Sequence, residues 1–401
     1  LRSNLASKIK DNEMIEFLLL LLPVASVSGW YMGKKSQRFV KTPLQHSLHR
    51  DYFLGINYLI NEQPDKAVDV FIKLLAVDRD TIETHLALGS LFRRRGEVDR
   101  AIRIHQNLIT RPQLEQAQRN QALHELAQDY LGAGVLDQAE RLFLELVNKN
   151  EEVISSLRYL LNIYQQQKDW QQAIKIANLL QEKTGESMRP TIAHYYCELA
   201  DQKRSQNDLI QTQALLNQAF KIDRDCVRAS LASAENAISL GDYETAITFY
   251  KEIPEQDPDY LSEAIVPLRF CYEKLQMEEE FVNYLQVHLT KNPRTSIVIA
   301  MSEYIKKQQG NRAAINFIAD QIRRSPSLRG LDRLIELYLT MSEGDAKDKL
   351  LLLKDLVATL LADKPAYRCS NCGFSSSNVY WHCPGCKNWS TVRPIQGVAG
   401  K

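Results

Sequence analysis

The sequence predicts an all-α solenoid of helix–turn–helix repeats, with a transmembrane helix before it and a small metal ribbon after it. Three observations lead there. A helical pattern of apolar and small residues recurs every 34 positions. An apolar run near the start is followed at once by basic residues. Two Cys-x2-Cys pairs stand close together near the end.

The repeat is clearest from Leu88 to Leu108, LGSLFRRRGEVDRAIRIHQNL. Leu88, Leu91 and Phe92 share one helical face, and Ala101, Ile104 and Leu108 share another. Gly96 sits between them, where a turn residue belongs. Gly89 and Ala101 are small, so two helix backbones are expected to approach closely there. The same unit occurs 34 residues earlier, at Leu54, Gly55, Tyr58, Ala67 and Phe71. The period and the small–aromatic–Ala pattern resemble the tetratricopeptide repeat.

The small position then falls at Ala67, Ala101, Ala139, Ala173, Thr212, Ala246, Glu280 and Ala314. Successive spacings are 34, 38, 34, 39, 34, 34 and 34. The two wide spacings predict loop insertions near Arg111–Gln118 and Thr184–Pro190. Thr212 and Glu280 depart from the small-residue rule. Pro258, Pro293 and Pro326 close three successive units, since proline ends a helix. A last helical pair over Leu328–Leu361 caps an array spanning 48–363. The apolar stripes read as core, and Cys197, Cys226 and Cys271 as small buried hydrophobes. The resembled repeat lines its concave face with the first helix of each unit. That pattern makes Arg93, Arg94, Arg158, Asn162 and Gln165 candidate partner-binding residues, against the plainer reading of ordinary solvated positions.

A chain of 401 residues fits such an array with accessory segments. Its formal net charge of +1 gives no electrostatic case for nucleic acid. Seven cysteines, four of them clustered, are not a secreted disulfide scaffold.

Ile15 to Met32, IEFLLLLLPVASVSGWYM, carries one charge, Glu16. At about 1.5 Å per residue it reaches roughly 27 Å, enough for a bilayer core. Trp30 and Tyr31 stand where interfacial aromatics belong. Lys34, Lys35, Arg38 and Lys41 follow, which keeps that end in the cytoplasm. A cleaved signal peptide is the rival reading, but it carries its basic residues before the apolar run. Residues 15–32 are therefore expected to be a retained anchor and 33–47 a basic linker. Residues 1–14 form an upstream tail, with Met14 expected as the natural start.

The ribbon spans 364–401. Cys369-x2-Cys372 and Cys383-x2-Cys386 are separated by ten residues. Each pair turns two thiolates toward one ion, and two pairs complete a tetrahedral shell. Gly373, Pro384 and Gly385 allow the tight turns. One metal per chain is expected, zinc in preference to iron. His382 is read as a surface or supporting residue, since four cysteines already fill the shell. Tyr380, Trp381 and Trp389 give so small a module an apolar face that should pack on the last repeats. The spacing and the Cys-Gly and Cys-Pro-x-Cys turns resemble a rubredoxin-type zinc ribbon.

No catalytic constellation is visible. His124-Glu125-Leu126-Ala127-Gln128 begins like a zinc-protease helix but has Gln128 in place of the second histidine. Phosphate loops, GxSxG and dinucleotide fingerprints are missing.

Anchor, basic stop, repeats and four-cysteine ribbon stand in an order that resembles the lipopolysaccharide assembly protein B family of Gram-negative bacteria. The resemblance is specific in LLLLLPVASVSGWYMGKKS, RDYFLGINYLINEQPDKAVDVF, FRRRGEVDRAIRIHQ and YWHCPGCKNWSTVRPIQG. It implies a single-pass inner-membrane protein with its soluble part in the cytoplasm. It implies an adaptor, not an enzyme. The partners implied are a membrane-anchored ATP-dependent zinc protease, the deacetylase that commits carbon to lipid A, and other lipopolysaccharide-assembly proteins. Homo-oligomerisation stays open. The competing readings are an assembly scaffold without a role in proteolysis, an iron-containing redox carrier, and an RNA-binding ribbon.

Overall fold

A computed structural model describes residues 23, 26–32, 53–61, 63–74, 82–112, 114–291, 293–362 and 364–398. The expected tail and linker lie outside these residues. Of the expected anchor, residue 23 and residues 26–32 are described, and they are helical and exposed. Among the described residues no helix is long and apolar enough to cross a membrane.

The remaining helices come in antiparallel-type pairs, a first helix A and a second helix B. A helical stretch over 53–60 precedes α1 (Pro64–Leu74). Then follow α2 (Ile82–Arg94) with α3 (Val98–Ile109), and α4 (Gln116–Gly132) with α5 (Leu136–Asn148). Next are α6 (Val153–Gln167) with α7 (Trp170–Thr184), α8 (Arg189–Ser205) with α9 (Leu209–Ile222), and α10 (Val227–Leu240) with α11 (Tyr243–Gln256). A 3-10 turn at Pro258–Tyr260 leads into α12 (Leu261–Lys274) with α13 (Glu278–Lys291). The last pairs are α14 (Thr295–Gln309) with α15 (Asn311–Arg324), and α16 (Leu328–Leu339) with α17 (Asp345–Ala362). The final pair matches the expected cap. Three short strands follow: β1 (Tyr367–Cys369), β2 (Ser375–Ser376) and β3 (Val392–Pro394). The chain divides into two compact units, Leu1–Val153 and Ile154–Lys401.

One backbone device sets the register between A and B. In six pairs the A helix ends on a left-handed residue: Gly96, Gly134, Lys168, Asn207, Gly241 or Gln276. The next N–H then reaches back to a carbonyl five residues earlier, as in Glu97 to Phe92 (2.9 Å) and Asp242 to Ala237 (2.9 Å). This bond satisfies a carbonyl the helix end would otherwise leave open and sharply reverses the chain. Five residues past the left-handed residue lies the small position. Ala101, Ala139, Ala173 and Ala246 are fully buried there. Thr212 is buried too, and its hydroxyl donates to the Asp208 carbonyl at 2.7 Å.

The seventh pair corrects the expected register. Counting five from Gln276 reaches Phe281, which is buried, while Glu280 is exposed. The reason is one additional residue: Gln276 follows Gly241 by 35 positions (276 − 241), not 34. The frame recovers at Gly310, the N-cap of α15, and Ala314 is again fully buried. The two wide spacings also resolve differently from simple loop insertions. Helices α4 and α8 each run 17 residues, so part of the insertion lengthens the A helix. Cys197, Cys226 and Cys271 are buried as expected.

Gly89 does permit a close approach, but to a ring. A Cβ there would lie 2.4 Å from Nε2 of His105, and one at Gly55 would lie 2.7 Å from Cζ of Phe71. The His105 ring is fully buried and bonded through Nδ1 to the Asp129 carboxylate, so it cannot swing aside. Gly89→Ala is therefore expected to cost about 1–3 kcal/mol through overpacking. Gly96→Ala meets open space and bears only the left-handed backbone cost, about 1–2 kcal/mol. Denaturant unfolding of the two variants should lower the midpoint of the first unit in both, more in Gly89→Ala.

Candidate metal centre

The four clustered cysteines sit on two copies of one turn. In the first, the Gly373 N–H donates to the Cys369 carbonyl (3.0 Å) and the Cys369 N–H to the Phe374 carbonyl (2.7 Å). In the second, the Lys387 N–H donates to the Cys383 carbonyl (2.9 Å) and the Cys383 N–H to the Asn388 carbonyl (3.0 Å). Gly373 and Lys387 hold equivalent places, and both have positive φ. The sheet order β2-β1-β3 fixes the first turn, with Tyr367 opposite both Ser376 and Pro394 and Cys369 opposite Val392.

The sulfurs converge. All four lie within 4.8 Å of one another. Cys369 Sγ is 3.7 Å from Cys386 Sγ, and Cys372 Sγ is 3.6 Å from Cys383 Sγ. A tetrahedral ion about 2.3 Å from each sulfur holds them about 3.8 Å apart, so the four residues fit one metal. Gly385 belongs to the fit: a Cβ there would lie 3.2 Å from Cys372 Sγ. The Cys369 thiol donates to the Thr391 hydroxyl at 3.3 Å, and that hydroxyl lies where it favours the thiolate. With the N–H groups of Cys372 and Asn371, it brings that thiol down to about 6. At Cys372 the Phe374 N–H also favours the thiolate. Desolvation and the three neighbouring sulfurs outweigh it and push the group up to about 11. Four sulfurs this close need a cation to be thiolates together. Cys369, Cys372, Cys383 and Cys386 would hold that cation, and a shell of four thiolates leaves no open position. The site's chemistry is thus cross-linking. Zinc and iron fit the donor set alike.

The ribbon leans on the repeats of its own unit. Its interior is small: Ala366, Tyr367, Cys369, Cys383 and Val392 with a few partly buried neighbours. Its two tryptophans instead enter the repeats. Trp389 stacks with His194 of α8 at 5.2 Å and with His382 of the ribbon at 4.6 Å. It meets Trp170 and Tyr195 edge-on at 6.1 and 5.6 Å. Its indole N–H donates to Gln165 Oε1 at 3.3 Å. Trp381 stacks on Tyr260 at 5.3 Å, and the Tyr260 hydroxyl donates to the Val392 carbonyl at 2.8 Å. His194 also bonds the Ser390 hydroxyl. Burial, then the charges of Arg228 and His382, push His194 down to about 3, so it packs as a neutral ring. Farther on, the Leu328 N–H donates to the Val398 carbonyl at 2.8 Å.

The tryptophans therefore do pack on the repeats, but through pairs four, five and seven. His194, Tyr195 and Tyr260 are the partners that sequence reasoning missed. Their one signal is that buried His194 breaks an otherwise apolar helix face. His382 stays outside the sulfur shell, with Nε2 bonded to the Lys387 carbonyl at 2.9 Å.

The expected groove residues fall into different settings. In the first unit, Arg93 is half-buried and braces α2 to α4 through Asp129 (2.7 Å) and Glu125 (2.7 Å). Arg94 beside it is exposed. His124 and Glu125, from the failed protease-like motif, belong to this packing: His124 sits edge-on to Phe143 at 5.8 Å. In the second unit, Arg158 is exposed and pairs with Glu186 at 2.9 Å. Asn162 is exposed and accepts from Gln166. Gln165 receives the ribbon's Trp389.

Comparison with known proteins adds the wider context. A family model described as a rubredoxin metal binding domain matches residues 367–394. Tetratricopeptide repeat models match 84–117 and 203–265. Lipopolysaccharide assembly protein B of Escherichia coli (strain K12) is 39% identical over 388 residues, covering 96% of this chain and 100% of that protein. Lipopolysaccharide assembly protein B of Haemophilus influenzae (strain ATCC 51907 / DSM 11121 / KW20 / Rd) is 35% identical, covering 95% of this chain and 98% of that protein.

Metal analysis of the purified chain should find one equivalent per chain. Cys372→Ser should lose it, because structural sites of this kind contribute about 10–16 kcal/mol of apparent binding free energy. Less than half an equivalent in the unaltered chain would contradict the site. Trp389→Ala separates docking from folding of the ribbon. It should keep the metal yet weaken the seam, by less than the roughly 3–5 kcal/mol of a fully buried aromatic deletion. Limited proteolysis should then release the ribbon faster at unchanged metal content.

Proposed function

Because the chain belongs to the lipopolysaccharide assembly protein B family, we propose that it serves lipopolysaccharide assembly as a non-catalytic, zinc-stabilised scaffold of the bacterial inner membrane. Its finer role is that of an adaptor. It brings the lipid A-committing deacetylase to the membrane-anchored ATP-dependent zinc protease, and so limits lipopolysaccharide synthesis. The segment 15–32 anchors it, with the soluble part facing the cytoplasm.

The observation that carries this reading is the seam between ribbon and repeats. The four thiolates leave a metal no open position, so the ribbon offers shape, not chemistry. Its tryptophans bind it to Gln165 and Trp170 of pair four, His194 and Tyr195 of pair five, and Tyr260 in the turn before α12, so ribbon and repeats offer one continuous surface. A composite surface without a reactive centre suits a protein that holds others together. Anchoring supports the adaptor role by raising the effective concentration of two partners at one membrane.

The test is the half-life of the deacetylase in cells carrying variants of this chain. Removing residues 1–32, or breaking the ribbon with Cys372→Ser, should lengthen it several-fold at matched expression. Normal turnover with both variants would overturn the adaptor role and leave the scaffold role without proteolysis.

A further inference from the structure

We propose that the chain self-associates through α17: two copies pair antiparallel along one leucine stripe of this last helix, as a symmetric dimer. The pairing goes beyond the adaptor reading and does not depend on it.

In a stacked array each pair covers the apolar side of the one before it, and the last pair needs a polar outer side to stay soluble. Here the last helix does the opposite. Among the residues of α17 only Val357 is buried. Leu352, Leu353, Leu356 and Leu360 are each between 49% and 62% exposed. Their spacing puts them on one side of the helix. Lys354 reaches Glu336 of α16 at 2.9 Å, so Lys354 and Val357 mark the side turned inward. At about 100° per residue, Leu356 lies about 100° from Val357 and about 160° from Lys354. The stripe therefore points away from α16, and the ribbon leaves it uncovered. Leucines grouped like this on a surface mark a contact.

The charges say what makes that contact. Helix α17 carries Lys347, Lys349 and Lys354 against Asp345, Asp348 and Asp355. Balanced charge gives it no pull toward an anionic membrane surface. The same charges suit a second copy. A two-fold axis makes each contact occur twice, so the patch must complement itself. With the axis midway between Leu353 and Leu356, each of these faces the other in the second copy. Four residues further out on either side, the aliphatic stem of Lys349 faces Leu360. Four further again, Asp345 faces Lys364, and both are exposed. Asp345 accepts from Lys349 of its own helix at 2.6 Å through Oδ2, which leaves its other oxygen for Lys364. The pairing thus has leucines at its centre and an ion pair at each end, the layout of an apolar interface core with a polar rim. One helix face is smaller than a standard interface of about 800 Å² per partner, so the dimer is expected to be reversible.

The test co-expresses two differently tagged copies of the full chain, Leu353→Cys in one and Leu356→Cys in the other. The detergent-free lysate is oxidised with copper phenanthroline, and the species carrying both tags is mapped by mass spectrometry. A disulfide between the two introduced thiols is expected, well above the yield with Leu351→Cys in both copies, because Leu351 is exposed outside the stripe. Leu360→Asp in both copies should lower the yield about tenfold, since it places a charge in an apolar contact. Lys364→Asp should lower it about threefold, because exposed ion pairs are individually weak. Adding Asp345→Lys to that variant should restore it. Circular dichroism and metal content should match the unaltered chain throughout. Absence of the cross-link, an equal yield at Leu351→Cys, or no recovery in the charge-swapped chain would overturn the dimer. An introduced thiol that stays uncoupled and reacts with a lipid-soluble maleimide but not with a charged one would give the face to a membrane and overturn it equally.

Discussion

Four sulfurs within 4.8 Å of one another set the terms for the second unit. Their mutual repulsion as thiolates is relieved only by a cation, and the cation in turn holds two turns together in a module with a handful of buried side chains. A ribbon this size has too little interior to order itself. Once ordered, it presents Trp381 and Trp389 at a spacing that matches Tyr260 and His194. Metal, turns, tryptophans and repeat face thus form one chain of dependence.

Much of this was legible in the residues. The Cys-x2-Cys spacing carries its own geometry, because two identical turns need only the right residues at fixed offsets. The repeat was equally plain where Gly marks the left-handed turn and Ala the small position, as at Gly96 with Ala101 and Gly241 with Ala246. It failed at Glu280, where a single extra residue moved Phe281 into the core. Periodicity counted from one landmark cannot detect a slip between landmarks, whereas the hydrogen bond from Met277 to Tyr272 locates it at once. The seam was half legible. Two tryptophans on a tiny module announce that something must cover them, but not which helices do, since the partners lie more than a hundred residues away.

The A helices serve three purposes that a helical wheel does not distinguish. In the first unit, Arg93 is spent on an internal brace to Asp129 and Glu125. In the second, Gln165 and His194, with Tyr260 of the turn before α12, receive the ribbon. Beyond them, Ser262, Ser296 and Arg329 line a cavity walled by Ile265, Val266 and Ile299. An exposed charge on a repeat is therefore a weak sign of a binding surface.

Repeat arrays ordinarily behave as one-dimensional stacks in which each unit senses only its neighbours. The ribbon breaks that rule. Its bonds to Gln165, His194 and Tyr260 span 224, 196 and 132 residues of sequence. It is synthesised after every one of those positions, so Trp170, His194, Tyr195 and Tyr260 stay uncovered until the metal-bound module arrives. Supply of the ion then governs how long that sticky intermediate survives. Scarcity of metal would act first on the newly made protein, before it touched molecules already assembled.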